Sequence, residues 1–265
     1  MPKKKRTAVQ AVLHSCNNHS NSIIIPAYNA EKYIKDTITS VIKQTYTKWE
    51  MVIVDDASKD NTNKIIKEYR QKDKRIKLIT LLKNQGVANA RNTAIQNAKG
   101  RYIAFLDADD VWEKEKLEKQ INFMKQNDVY FSYHDYKLLD LSTNKEKIIS
   151  VPKQLDYNNL LKGNRTGSCL TVCLDRKMIK DIYFPKAKHE DYICWLNILK
   201  QYSIVALGLN KTLGTYKVGK KSISSNKLQS AIWNWNVYRK SQNLSVLKSI
   251  YYMYFYVING IRKYT

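Results

Sequence analysis

Apolar positions follow two rhythms in the first half of the chain. Short runs that are apolar almost throughout fall at Ser22–Pro26, Met51–Asp55, Ile76–Leu81 and Arg101–Asp107. Runs of this length, rich in β-branched residues and bounded by turn signals, predict strands buried on both faces. Between them the spacing changes to three and four. Tyr33, Ile34, Ile38, Val41 and Ile42 predict a helix over Ala30–Gln44. Asp60 can cap a second helix that carries Ile65, Ile66 and Tyr69. Gly86–Ala98 reads as a third helix stopped by Gly100, Glu113–Gln126 as an amphipathic fourth, and Val129–Leu138 as a further strand. Strands alternating with helices predict an α/β fold: a Rossmann-like, mainly parallel sheet flanked by helices. Ligands of such sheets sit beyond the carboxyl ends of the strands. Those ends carry Tyr28, Asp55, Asp56 and Asp107–Asp110.

The second half is less regular. Ser168–Leu174 predicts a strand, and Asp191–Gln201 a helix with Ile193, Trp195, Leu196 and Leu199 inward. Two short strands follow, Ser203–Ala206 and Leu213–Val218. From Ser230 the pattern is helical and crowded with aromatics, among them Trp233, Trp235, Tyr238, Tyr251 and Tyr254. Leu247, Tyr251, Tyr254, Ile258 and Ile261 fall on one face. The chain divides into a basic, disordered lead-in (1–20), a main domain (21–225) and a C-terminal helical, aromatic-rich extension (226–265).

Charge changes this picture. The 265 residues hold 46 Lys and Arg against 23 Asp and Glu, a net charge of +23. No acid precedes Glu31 and none follows Asp191. Such a surface attracts polyanions: anionic lipid, nucleic acid or a phosphorylated substrate. A lysine-rich composition that is also heavy in Asn, Ile and Tyr accounts for part of the excess. Pro2–Arg6 resembles a nuclear-import signal, although a solvated basic terminus explains it as well. No apolar run is long enough to span a bilayer, and Thr7–Ser20 lacks a signal-peptide core. The expected location is the cytoplasm. Cys16, Cys169, Cys173 and Cys194 form no CxxC pair and read as scattered thiols; Cys16 with His14 and His19 is the one other metal candidate.

Asp107-Ala108-Asp109-Asp110 carries the most chemistry. Three carboxylates at the end of a buried strand repel one another unless a cation joins them. Mg²⁺ commonly takes one or two carboxylates together with substrate phosphates. The competing reading is a solvated turn in which Asp caps a helix.

Four segments resemble the inverting family-2 glycosyltransferases of the GT-A fold, in order and at the expected spacing. They are Ile24-Ile25-Pro26-Ala27-Tyr28-Asn29, Val54-Asp55-Asp56-Ala57-Ser58, Gly86-Val87-Ala88-Asn89-Ala90-Arg91-Asn92 and Phe105-Leu106-Asp107-Ala108-Asp109-Asp110. The likeness covers roughly residues 21–225, and it is greatest to bacterial enzymes of surface polysaccharide and lipopolysaccharide assembly. It implies a nucleotide-binding half at about 21–140 and an acceptor half at about 141–225. It implies a UDP-sugar donor bound by Pro26, Ala27, Tyr28, Asn29, Asp55, Asp56, Arg91, Asp107 and Ala108. Tyr28 offers a flat face to uracil, and Asp56 an acceptor to the uracil imide or a ribose hydroxyl. Helix capping remains open for Asp55 and Asp56, and a structural salt bridge for Arg91. The implied cofactor is Mn²⁺ or Mg²⁺, with Asp109 as first ligand, Asp107 beside it, and Asp110 as its competitor if the register shifts.

His189-Glu190-Asp191-Tyr192 resembles the family's acidic pair, with Asp191 as general base and Glu190 in support. Acids favoured at a helix N-terminus are the plainer reading. The family often carries Gly and Phe before this pair; here Tyr183-Phe184-Pro185 lacks the glycine. Tyr216 and Lys217–Ser224 resemble the closing segment, in which Lys220 or Lys221 meets phosphate or solvent. The resemblance further implies a glycan or lipid-linked acceptor. A basic helix bearing Trp and Tyr suits an anionic bilayer, which places the enzyme peripherally at the inner face of the plasma membrane. A core-packing or dimer face competes for the same aromatic stripe. A nucleic-acid-binding protein would explain the charge but not the acids. A nucleotidyltransferase would need a glycine-rich, lysine-containing loop after the first strand, which is missing.

Overall fold

A computed structural model describes residues 21–219 and 227–264. The expectations for residues 1–20 and for Lys220–Ser224 lie outside the described residues. The elements in chain order are β1 (Asn21–Ala27), α1 (Ile34–Ile42), β2 (Trp49–Asp55), α2 (Thr62–Lys72), β3 (Ile76–Thr80), α3 (Val87–Asn97), β4 (Tyr102–Phe105) and β5 (Val111–Trp112). Then come α4 (Lys116–Gln126), β6 (Phe131–Asp140), β7 (Lys145–Ile149), β8 (Gln154–Leu155), α5 (Tyr157–Leu161), β9 (Cys173–Asp175), α6 (Glu190–Tyr202) and β10 (Ala206–Val218). The extension holds α7 (Lys227–Asn236), a π-helical turn (Val237–Ser241) and α8 (Val246–Tyr264).

One sheet runs β3-β2-β1-β4-β9-β6-β10-β5, with β7 on β6 and β8 on β10. The first four strands are parallel, so their carboxyl ends share one edge. β9 is antiparallel to both β4 and β6, and β6 and β10 are again parallel. Period two divides each central strand between the two faces. Ile23, Ile25, Met51 and Ile53 face Ile34, Ile38, Ile66, Leu117 and Ile121 from α1, α2 and α4. Ile24, Val52, Val54, Ile103 and Phe105 face α3, α6 and the extension.

Several expected boundaries move. The helix expected from Ala30 starts at Ile34, because Ala30–Tyr33 form a turn in which the Tyr33 amide donates to the Ala30 carbonyl. The helix expected from Glu113 starts at Lys116: Val111–Trp112 pair with β10, and the Glu113 amide donates to the Leu213 carbonyl. Ser168–Leu174 is a 3₁₀ turn at Cys169–Thr171 followed by β9, not one strand. The Thr171 hydroxyl donates to the Thr166 and Ser168 carbonyls, a local bond that competes with a ladder. The strands expected at Ser203–Ala206 and Leu213–Val218 are one strand, β10, whose register shifts between Leu209 and Thr212 and again before Thr215. Gly100 lies beyond the end of α3 and packs on β1; a Cβ there would meet the Ser22 backbone nitrogen at 2.6 Å.

Candidate active site

The loops beyond β1 and β2 hold each other. The Asn29 amide donates to the Ser58 hydroxyl (3.0 Å), and the Lys59 amide donates to the Asn29 side-chain oxygen (2.8 Å). The Asp56 amide donates to the Ala27 carbonyl (2.8 Å). Asn29 and Ala57 take left-handed backbone conformations, φ 48° and 60°. Pro26 and Ala27 lie buried within β1. Tyr28, the next residue, is 46% exposed and presents its ring to solvent at the edge.

Asp55 and Asp56 are both buried, and every carboxylate oxygen has a donor. Asp55 accepts from the Ser58 amide (3.1 Å) and the Asn63 side chain (2.7 Å). Asp56 accepts from the Gln85 and Gly86 amides, each at 2.8 Å, which joins β2 to the start of α3. Gly86 has φ +90°, a conformation open to glycine at little cost. Each carboxylate oxygen of Asp56 keeps a second acceptor site.

Arg91, on α3, is the hinge of the site. Its Nη2 donates to Asp107 at 2.7 Å and its Nη1 to Glu190 at 2.7 Å. The guanidinium lies 5.3 Å over the Phe184 ring. Phe184 is fully buried and meets Phe105 and Trp195 edge-on, at 5.4 Å from each. Burial opposes the charge on Arg91, but Asp107 and Glu190 outweigh it and hold its pKa well above the usual value. Below them the Cys169 thiol is pushed well up by burial, against the pull of Arg91.

The three Asp residues after β4 diverge. Asp107 is bound to Arg91. Asp109 is exposed; nearby protein strips water from it and Asp107 repels its charge, so its pKa is raised. Asp110 is fully buried, accepts from the Lys217 amide (3.0 Å) and has its other oxygen unpartnered. Burial first, then Asp107 and Asp109, push its pKa well up. The Thr37 hydroxyl lies 2.9 Å from the Ala108 carbonyl and 2.8 Å from that of Asp110, which fixes the turn. Lys217, from the expected closing segment, thus reaches the acids through its backbone.

Among the described residues no group of three or more His, Cys, Asp or Glu forms a ready metal cage. The donor set still fits a divalent ion that arrives with a diphosphate. It offers hard oxygens, mutual repulsion at Asp109 and an orphaned oxygen on Asp110.

Glu190 and Asp191 open α6 after His189, whose φ is 58°. Asp191 is half-buried; its Oδ1 accepts from the Tyr192 amide (2.7 Å) and its Oδ2 lies 3.5 Å from the Asn164 amide nitrogen. Desolvation, then Glu190, raise its pKa against the pull of Arg91. Asn164 and Asn92 were not foreseen. Asn92 clamps Phe184 by two bonds to its backbone, at 2.7 and 2.9 Å, and so supports the ring beneath Arg91. Its place in the third motif was the available signal; Asn164 had none.

A family model described as "Glycosyl transferase family 2" matches residues 22–183. An Escherichia coli relative, UDP-Glc:alpha-D-GlcNAc-diphosphoundecaprenol beta-1,3-glucosyltransferase WfgD, is 42% identical over 92% of this chain and 94% of its own length. Among solved structures, S. aureus TarS in complex with UDP-GlcNAc superposes with a TM-score of 0.68 at 24% identity, over 88% of this chain and 70% of that one. The mannosyltransferase PcManGT from Pyrobaculum calidifontis, in complex with GDP-Man and Mn²⁺, gives 0.66 at 17% identity, over 90% and 71%. The two superpositions establish a shared GT-A fold.

Proposed function

The chain belongs to glycosyl transferase family 2, and from that premise we propose that it is an inverting enzyme. It moves a hexosyl or N-acetylhexosaminyl group from a UDP-sugar to a hydroxyl of a lipid-linked glycan. The observation that carries this reading is the double ion pair of Arg91. One guanidinium joins Asp107, at the nucleotide edge of the sheet, to Glu190, beside the candidate base. On this reading donor and acceptor chemistry share one cleft between a nucleotide-binding half at about 21–140 and an acceptor half at about 141–225, and the bridge through Arg91 supports it.

The exposed ring of Tyr28 packs on uracil, with Pro26, Ala27 and Asn29 shaping the strand end behind it. Asp55 and Asp56 hold the loop that receives the base, and Asp56 accepts from uracil or ribose with its remaining lone pairs. Asp107, fixed by Arg91, meets ribose or sugar beside Ala108. Asp109, with Asp107 or Asp110 next to it, would hold Mn²⁺ or Mg²⁺ carried in with the diphosphate, where the chemistry supplied is neutralisation of charge on departing UDP. Asp191 takes the proton from the acceptor hydroxyl as that oxygen attacks the anomeric carbon and UDP leaves from the opposite face. Its raised pKa brings the base nearer the working pH, which favours proton transfer. Glu190, ion-paired to Arg91, steadies the start of α6.

The acceptor class is supported by the diphosphoundecaprenol-linked substrate in the name of WfgD. No helix among the described residues is long and apolar enough to cross a membrane. A cytoplasmic enzyme held peripherally at the inner face of the plasma membrane would meet such an acceptor. Incubation with a panel of UDP-hexoses, with and without Mn²⁺, tests the reading. UDP should be released from one or a few donors, and only with the metal. Pyrophosphate as the product would point instead to nucleotidyl transfer, and no turnover of any UDP-sugar would overturn the donor assignment.

A further inference from the structure

α8 buries one side and leaves the other bare. Tyr252 and Met253 pack on the main core, and the Tyr252 hydroxyl lies 3.1 Å from the Asn158 side chain. The opposite stripe is solvent-facing: Leu247 is 80% exposed, Ile250 54%, Tyr251 52%, Tyr254 62% and Val257 48%. These positions recur at three and four, the spacing of a single helical face. Ile250, Tyr254 and Val257 also join Trp235 and Met253 in lining an apolar groove of about 380 Å³ between α7 and α8. By sequence residues 227–265 hold six Lys and Arg and no Asp or Glu, and Lys240 and Lys248, before and on α8, are exposed.

We propose that the outer stripe of α8, with the α7–α8 groove, is a docking surface for an anionic bilayer. A second copy of the chain fits it poorly. A two-fold contact sets a patch against itself, and here the extension's cations would oppose cations, the extension itself carrying no acid to pair them. A bilayer bearing anionic headgroups complements the charge, admits the aliphatic side chains at its acyl boundary and leaves tyrosine hydroxyls among the headgroups. α7, which packs on α8, reaches the start of α6. The Trp233 ring lies edge-on to His189 at 5.7 Å, and the Lys188 ammonium 5.3 Å over Trp233. His189 stands two residues before Asp191, so a docked α8 would hold the candidate base beside the membrane. The inference rests on the lipid-linked acceptor proposed above.

The test is co-sedimentation of the full chain with phosphatidylglycerol-containing and with pure phosphatidylcholine vesicles. The double variant Leu247→Glu/Tyr254→Glu changes only exposed positions. The expected result is at least ten-fold stronger binding to the anionic vesicles, lost ten-fold or more in the variant, while UDP release from a soluble donor and the melting temperature stay unchanged. Equal binding to both vesicle types, or equal binding by variant and parent, overturns the proposal. So does a dimer in light scattering that the variant converts to monomer, since the face then serves self-association. A parent that binds vesicles but releases no UDP leaves the surface standing and strikes the transferase reading instead.

Discussion

Glu190 and Asp191 are neighbours in sequence with opposite surroundings. Glu190 is neutralised by Arg91 at 2.7 Å, whereas Asp191 has only neutral partners, the nearer being an amide at 2.7 Å. An ion-paired acid beside one that meets only neutral hydrogen-bond partners fits two different roles. Asp191→Asn is expected to lower transfer by about 10²–10⁴-fold and leave UDP affinity, read by calorimetric titration, unchanged. Its stability has a definite sign. A carboxyl whose folded pKa is raised binds its proton more tightly when folded, so its contribution is fully present below the unfolded value and is lost as pH rises through the folded one. The Asn variant should therefore melt no lower than the parent at neutral pH, and the parent should gain on it as pH falls through the raised value. Parent turnover should fall over the same acid range. An Asn variant with full turnover would remove Asp191 from the mechanism. These residues were legible as acids at element ends; the pairing that distinguishes them was not, because Arg91 lies 99 positions from Glu190.

α5 is the element that pattern reading missed and the extension depends on. It is five residues long, too short for a helical period to register. Asp156 caps its start, accepting from the Asn159 amide at 2.6 Å. At its end the Leu160 carbonyl accepts the Gly163 amide and the Tyr192 hydroxyl (each at 3.0 Å), and the Leu161 carbonyl, one of those a helix end leaves without a backbone partner, accepts the Tyr238 hydroxyl (2.6 Å). One hydroxyl comes from α6 and the other from the π-helical turn of the extension. Tyr238→Phe deletes one bond and leaves a buried carbonyl short of a partner. It should cost about 1 kcal/mol and lower the melting temperature by roughly 2–4 °C, measured by differential scanning calorimetry. An unchanged midpoint would mean that the bond adds nothing to the fold. β5 and β8, of two residues each, escaped for the same reason as α5, and exposed β7 lacks an apolar face to announce it.

At the scale of the whole molecule the extension is part of the main core rather than an appendage beside it. Val237 and Tyr238 are buried in the same cluster as Trp195 and Phe105. A chain ending at Gly219 would expose that cluster and orphan the Leu161 carbonyl. It should lose the single cooperative melting transition expected of the full chain and bind a hydrophobic dye at room temperature; a truncated chain that melts as sharply as the parent would separate the extension from the core. By itself the sequence determined the strand and helix rhythm, the acids at the strand ends and the family likeness. Each of these depends on residues within a few positions of one another, where periodicity and turn chemistry act. Only the tertiary structure decided that Arg91 bridges Asp107 and Glu190, that Asp110 turns inward while Asp109 stays open, and which face of α8 remains bare. Those outcomes depend on which distant elements the sheet order brings together, and a helix with apolar residues on most of its circumference does not reveal in advance the side its neighbours will cover.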